Sequence, residues 1–151
     1  MIGVVQRVSR ASVSVAGAEV ARIGIGLVVL VGASRSDTRD DAAALASKVA
    51  GLRVFADRRG LMNLSAADVG GDILVVSQFT LLGEIRQGRR PSFGEAAAPN
   101  QAVTLIEQVL EGIGQTGVTV QSGVFGAHMV LDLVNDGPVT LIVRTEAGRI
   151  I

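Results

Sequence analysis

Cysteine, tryptophan and tyrosine are absent from these 151 residues, and histidine and lysine occur once each, at His128 and Lys48. Without cysteine there is no disulfide, no thiol nucleophile and no thiolate ligand for a metal. A single histidine cannot build a His-based zinc site within one chain, and a Ser-His-Asp triad would have to use His128. No clustered carboxylate motif appears either, so no metal site and no cofactor are expected. Four phenylalanines are the only aromatic residues. The core must therefore be aliphatic, and there are few platforms on which nucleic-acid bases could stack. Lys plus Arg total 14, as do Asp plus Glu, leaving no net charge. A protein that wraps duplex phosphates is normally basic, so that class is disfavoured, while brief contact with a nucleic-acid end stays open. The near-exclusive use of arginine as the cation reads as a compositional bias of the genome. No apolar run reaches the ~18 residues of a membrane span. The opening Met1-Ile2-Gly3-Val4-Val5-Gln6-Arg7 lacks the apolar stretch of a signal peptide, so the expected compartment is the cytoplasm, with no membrane contact.

What is present is Val, Ile, Leu and Ala. Apolar residues make up 48% of the chain, which fits a single compact domain over residues 1–151 with a full core. Residues 2–31 read as three strands, ending in the continuous apolar run Leu27-Val28-Val29-Leu30-Val31, as a strand buried on both faces should. Ser36 or Asp37 can cap a first helix whose apolar face is Ala42, Leu45, Ala46, Val49 and Leu52. Arg53-Val54-Phe55 reads as a short strand, and 73–78 as a central one. Residues 84–92 form a polar loop. Pro99-Asn100 opens a second helix with Val103, Ile106, Val109, Leu110 and Ile113 inward, ended by Gly114 and Gly117. The stretches 118–121, 129–134 and 139–144 read as three closing strands. Two helices cannot cover both faces of eight strands. The expectation is an α/β fold of three-layer β/β/α type, a curled or barrel-like sheet with two helices on one side. Leftover apolar surface favours a homodimer.

Two segments invite a functional reading. Ser77-Gln78-Phe79-Thr80 ends the apolar strand 73–76, where a sheet can hold hydroxyl and amide groups rigidly. Ser77 or Thr80 could act as nucleophile or positioning group, with backbone N–H groups as an oxyanion hole. A hydroxyl nucleophile needs a base, no histidine lies nearby in sequence, and the G-x-S-x-G elbow is missing. On residue types alone, hydroxyls satisfying stray backbone groups are the commoner situation. Asp136-Gly137-Pro138 sits between apolar runs, a hairpin signal, yet Pro138 restricts Gly137 and removes a ladder donor. The cis form is a minority among X–Pro bonds, and residue types alone do not ask for it. His128 reads as a surface or strand residue. Arg86, Arg89 and Arg90 could meet phosphate, though a solvated loop is the commoner case. Arg7 is a cation in an apolar strand: it either snorkels to the rim or is held inside by carbonyls.

Taken in order, Gln6-Arg7-Val8, Gly24-Ile25-Gly26-Leu27, Met62-Asn63-Leu64, Ser77-Gln78-Phe79-Thr80, Gly88-Arg89-Arg90-Pro91-Ser92-Phe93, Phe125-Gly126-Ala127 and Asn135-Asp136-Gly137-Pro138-Val139-Thr140 resemble the D-aminoacyl-tRNA deacylase family over nearly the whole chain. The resemblance implies a homodimer that hydrolyses the ester joining a D-amino acid, or mischarged glycine, to the 3′-terminal ribose of tRNA. It implies that Ser77, Gln78, Phe79 and Thr80 form the catalytic segment, with the N–H groups of Phe79 and Thr80 facing the oxyanion. Gly137-Pro138 would be cis and reach into the partner's pocket, held by Arg7, with carbonyls filling the space of an L side chain. Phe125, Met129 and the Ala96-Ala97 region would lie around the terminal nucleoside or amino acid. The substrate's vicinal ribose hydroxyl would assist water, with Thr80 as nucleophile the lesser mechanism. Two positions depart from the family pattern: Leu82-Gly83, where an aromatic is frequent, and His128, where an acid is frequent. The rivals are a nucleic-acid-binding module on the same fold and a general esterase using Thr80.

Overall fold

Strand β1 (Ile2–Val15) organises the molecule. It alternates faces along its length, and it is long enough to serve three partners. Its first half pairs with β3 (Gly26–Gly32) and its second half with β2 (Ala18–Ile23), both antiparallel and on the same side. The other side is taken by β8 (Met129–Glu146). Parallel strands β6 (Asp72–Ser77) and β7 (Val120–Ser122) continue the sheet beyond β3, and β9 (Arg149–Ile150) closes on the end of β8. The short pair β4 (Phe55–Ala56) and β5 (Met62–Leu64) stands apart. These relations come from a computed structural model that describes residues 1–86 and 88–151.

The fold is mixed α/β with a curled sheet, and period-two alternation produces two cores. Leu27, Val29, Val31, Ile73 and Val75 face helices α1 (Arg39–Ala50) and α2 (Pro99–Gly114), meeting Leu45, Val49, Val109 and Ile113. The intervening Val28, Leu74 and Val76 face the other way and pack on Val8, Val13 and Ile23 inside the curl. A strand buried on both faces must be apolar at every position, which is what 27–31 and 73–76 are. The curl nearly closes. β2 comes against β7, and the Gln121 side chain stands in for the missing ladder. Its Oε1 accepts from Arg22 N–H at 3.0 Å and its Nε2 donates to the Arg22 carbonyl at 2.7 Å.

Several elements differ from the sequence expectation. Neither Ser36 nor Asp37 caps α1; Thr38 does, and its N–H and hydroxyl both donate to Asp41 at 2.9 Å. Asp37 is instead engaged by the amine of Met1 at 2.7 Å and by Ser34 N–H at 2.6 Å, all inside the fold. In α2, Ala102 and Leu105 are the buried residues beside Ile106, Val109 and Ile113, while Val103 and Leu110 are only half-buried. The β4–β5 pair adds a strand, Met62–Leu64, where the sequence reading assigns no element, and β4 falls at Phe55–Ala56, not 53–55. The strand 72–77 is not central, because β1 and β3 hold that place and only β7 lies beyond it. The largest difference concerns 129–146. Asp-Gly suggests two strands folded on each other, but β8 is one strand and both of its halves pair with β1. Between Gln6↔Thr140 and Val8↔Asn135 the register slips, so residues 136–139 loop out opposite Arg7 alone.

Candidate active site

Strand β6 ends at Ser77, and the Gln78 N–H still follows the ladder, donating to the Val31 carbonyl at 2.8 Å. The chain then tightens into a 3₁₀ turn, Phe79–Leu82. Gly32 permits that turn to sit against β3. A Cβ there would lie 2.9 Å from the Gln78 carbonyl oxygen and 2.5 Å from a Leu82 methyl. The turn's internal bonding begins with Leu81 N–H to the Gln78 carbonyl at 3.3 Å. The N–H groups of Phe79 and Thr80 precede it, in the first-turn position where helical donors lack an intrahelical acceptor. The Gln78 amide donates to the Thr80 hydroxyl.

Beneath this turn is a cavity of about 350 Å³ with mostly apolar walls. Val31 and Ala33 from the β3 end, and Ser77, Gln78 and Phe79 from the β6 end, form one side. Ala96 and Ala97 form another, held by an antiparallel bridge from Ala96 to Ser34 and by Ala97 N–H donating to the Ala33 carbonyl at 2.9 Å. Pro99, Ala102 and Ile106 of α2 make the floor, and Phe125 with Gly126 makes the far rim. The space exists because small residues meet here. With larger ones at 33, 96, 97 and 102 the sheet end and α2 would fill it. A second cavity of about 220 Å³ shares Ser77, Ile106 and Phe125 with the first and adds Glu107 and Ser122. Among the described residues, no group of three or more His, Cys, Asp or Glu is gathered as a metal site, and no helix is long and apolar enough to cross a membrane.

Of the residues singled out in the sequence, Ser77, Gln78, Phe79, Ala96 and Phe125 therefore share one cavity. Thr80 is exposed beside it and is not on its wall. His128 is exposed. Met129 lies elsewhere, half-buried against the core inside the curl and over Gly123, where a Cβ would stand 2.5 Å from its Sδ. Arg7, Gly137 and Pro138 form a separate group. The Arg7 side chain is 13% exposed; Nε donates to the Asp136 carbonyl at 3.0 Å and lies 3.4 Å from that residue's carboxylate, while Nη1 donates to the Val54 carbonyl. The cation is held inside by carbonyls, and it does not snorkel. The Gly137–Pro138 bond is cis, and Gly137 has φ +132. A Cβ on Gly137 would meet Arg7 Nη2 at 2.9 Å and Val139 N at 3.0 Å, so only glycine fits. Asn135 steadies the same loop, accepting from Val139 N–H and donating to the Thr140 hydroxyl, each at 3.0 Å.

Ala33, Pro99, Ala102 and Ile106 were not expected as wall residues. The alanine run 96–98 ahead of a helix was the one available signal, since small residues beside a polar strand end leave room.

Residues 4–144 match the D-Tyr-tRNA(Tyr) deacylase family. The chain is 53% identical over 149 residues to the D-aminoacyl-tRNA deacylase of Heliobacterium modesticaldum, covering 99% of each. Among solved structures it is similar to the c-Myc DNA Unwinding Element Binding Protein, with 39% identity, a TM-score of 0.90, and 97% and 100% of the two chains covered. A probable eukaryotic D-amino acid tRNA deacylase shares the fold at 19% identity and a TM-score of 0.80, over 93% and 97% of the two chains.

Proposed function

Because this chain belongs to the D-Tyr-tRNA(Tyr) deacylase family, we propose that it is a single deacylase domain over residues 1–151 that hydrolyses the ester of D-aminoacyl-tRNA, releasing the D-amino acid and tRNA. The observation that carries this reading is the cavity at the β6 end, where Ser77, Gln78 and Phe79 stand over apolar walls with Ala96 and Phe125 opposite. Apolar walls of that size suit a terminal nucleoside or an amino-acid side chain, with the polar turn above facing the ester.

The chemistry asks little of the protein. An aminoacyl ester is already activated, and the vicinal ribose hydroxyl of the substrate can assist water in its attack. In this mechanism the N–H groups of Phe79 and Thr80 donate to the oxygen that becomes negative as water adds, and Ser77 and Gln78 position the ester. No cofactor or metal takes part. Water supplies the hydroxyl of the released acid, and the ribose oxygen leaves with a proton.

In the proposed enzyme, chirality is decided by the loop opposite Arg7. Groups that bind the amine and the ester grip both enantiomers, so selection needs an element that repels one of them. In a homodimer, the carbonyls at Gly137 and Pro138 would enter the partner's cavity and occupy the space of an L side chain; glycine, lacking a Cβ, would pass. Two observations support this. Arg7 and Asn135 brace the loop. The strand that carries it leaves Val130, Leu141 and Ile142 exposed, as an edge awaiting a second copy would. The substrate places the enzyme in the cytoplasm, beside the translation machinery.

Side-by-side hydrolysis of D-, glycyl- and L-aminoacyl-tRNA tests the reading. The D and glycyl esters should be cleaved and the L ester spared. Equal hydrolysis of D and L refutes the chiral screen. RNA binding without hydrolysis would instead favour a nucleic-acid-binding module, and an acyl-enzyme trapped on Thr80 would favour a general esterase.

A further inference from the structure

Three arginines, on segments that run directly into the walls of the large cavity or pack on them, have no acidic partner among the described residues. The loop that carries two of them is closed at its base by Glu84 N–H to the Ser92 carbonyl at 2.8 Å and Ser92 N–H to the Glu84 carbonyl at 2.9 Å. Phe93 follows at once and sets its ring edge-on to Phe79, centroids 5.0 Å apart, and Phe79 is a wall of the cavity. The loop is thus fastened to the site by an aromatic contact. It carries Arg86, Arg89 and Arg90, all exposed. Arg86 folds back on the Glu84 carboxylate, and its hydrogen bonds hold that carboxyl down to about 2. Arg89 and Arg90 have no carboxylate within ion-pair distance among the described residues.

Arg35 completes the set. It lies two residues past Ala33 of the cavity wall, its N–H donates to the Glu95 carbonyl at 3.0 Å, and its guanidinium approaches Gly94. It too is exposed and unpaired among the described residues. A chain with no net charge therefore carries three guanidiniums that are uncompensated among the described residues, on segments joined to an apolar hollow. Ile85, 74% exposed, adds an apolar face on the same loop. A planar fork of donors matches the two free oxygens of a phosphodiester.

We propose that Arg89, Arg90 and Arg35 hold the phosphodiesters of the single-stranded 3′ end of tRNA, just upstream of the aminoacylated nucleoside seated in the cavity. This rests on the deacylase reading and extends it to the strand outside the pocket. The nucleoside carries the ester, and every nucleotide before it carries one negative charge and must leave past the mouth.

The test compares two substrates, D-aminoacyl-tRNA and D-aminoacyl-adenosine, which has no phosphate. With Arg89→Ala/Arg90→Ala, and more so with Arg35→Ala added, KM for the tRNA ester should rise about tenfold. The log–log salt dependence of kcat/KM should flatten by roughly 0.7 for each phosphate that is no longer neutralised. The kcat on the tRNA ester, and both constants on the adenosine ester, should stay within about twofold. Arg89→Lys/Arg90→Lys should recover part of the KM and most of the salt slope, since charge is kept and the fork is removed. An unchanged KM and salt slope on tRNA overturns the proposal, as does an equal loss on both substrates. Wild-type protein that cleaves neither ester overturns the deacylase reading and this proposal with it.

Discussion

Arg7 Nε donates to the carbonyl of Asp136 at 3.0 Å, so the one cation in the first half of β1 is tied to the one stretch of β8 that leaves the ladder. Four residues, 136–139, bulge out opposite a single residue, and that residue is the long donor able to fill the gap. The far end of the guanidinium continues to the Val54 carbonyl.

Removing this donor should be costly in two ways. Arg7→Ala frees the exposed Asp136 carbonyl to water but leaves the carbonyl of buried Val54 without its donor, and an unsatisfied buried group costs about 1–3 kcal/mol. The melting temperature should fall by roughly 2–12 °C, at about 2–4 °C per kcal/mol for a chain of this size. The ratio of D- to L-aminoacyl-tRNA hydrolysis should fall by more than the rate on the D ester. Arg7→Lys, with one point charge in place of a fork, should lie between. Calorimetry and paired kinetics check this, and a variant with wild-type melting and selectivity would contradict the bracing role.

Thr80 is outside the cavity wall and its hydroxyl accepts from the Gln78 amide. If backbone N–H groups and the substrate hydroxyl carry the reaction, Thr80→Ala should keep kcat within about tenfold, whereas loss of a true nucleophile costs several orders of magnitude. Single-turnover rates on D-aminoacyl-tRNA decide between the two.

Asp41 links the start of α1 to the chain's end. Burial pushes its carboxyl up, but hydrogen bonds from Gly148 N–H and from the N–H and hydroxyl of Thr38 outweigh it, and the group is held below the ordinary carboxylate value. A depressed folded pKa contributes stability that is present above the unfolded value, about 4, and is lost as pH falls through the folded one. The urea midpoint should therefore begin to drop as the pH falls below about 5 and keep dropping until the folded carboxyl is protonated. Asp41→Asn should be less stable than wild type at neutral pH and show a shallower drop on acidification. An identical acid profile for the two proteins would exclude Asp41 as a source of that dependence.

Much of this architecture is legible in the residues because it follows from local rules. The unbroken apolar runs 27–31 and 73–76 announce strands buried on both faces, and the helical spacing from Ala42 to Val49 announces α1. The motif at 77–80 can be located as a strand end because an apolar β-branched run stops there. Other features depend on register, which the sequence does not print. Asp136-Gly137 carries the local chemistry of a hairpin turn, yet both flanks find β1, whose length offers each of them a ladder. Asp37 is as good a cap as Thr38 by residue type. The Met1 amine, brought to it by folding, claims it first.

The sequence by itself determined that the core is aliphatic, that thiol and His-triad chemistry are out of reach or nearly so, that 27–31 and 73–76 are buried strands and 42–49 a helix, and which family the chain resembles. Tertiary structure decided where Arg7 points, that Gln121 closes the curl against Arg22, and that Ala33, Ala96, Ala97 and Ala102 come from three elements to hollow one cavity. The physical reason is range. Periodicity and capping act within a few residues of chain, whereas a cavity and a braced loop are made by side chains tens of residues apart, which meet only after the sheet has twisted and closed.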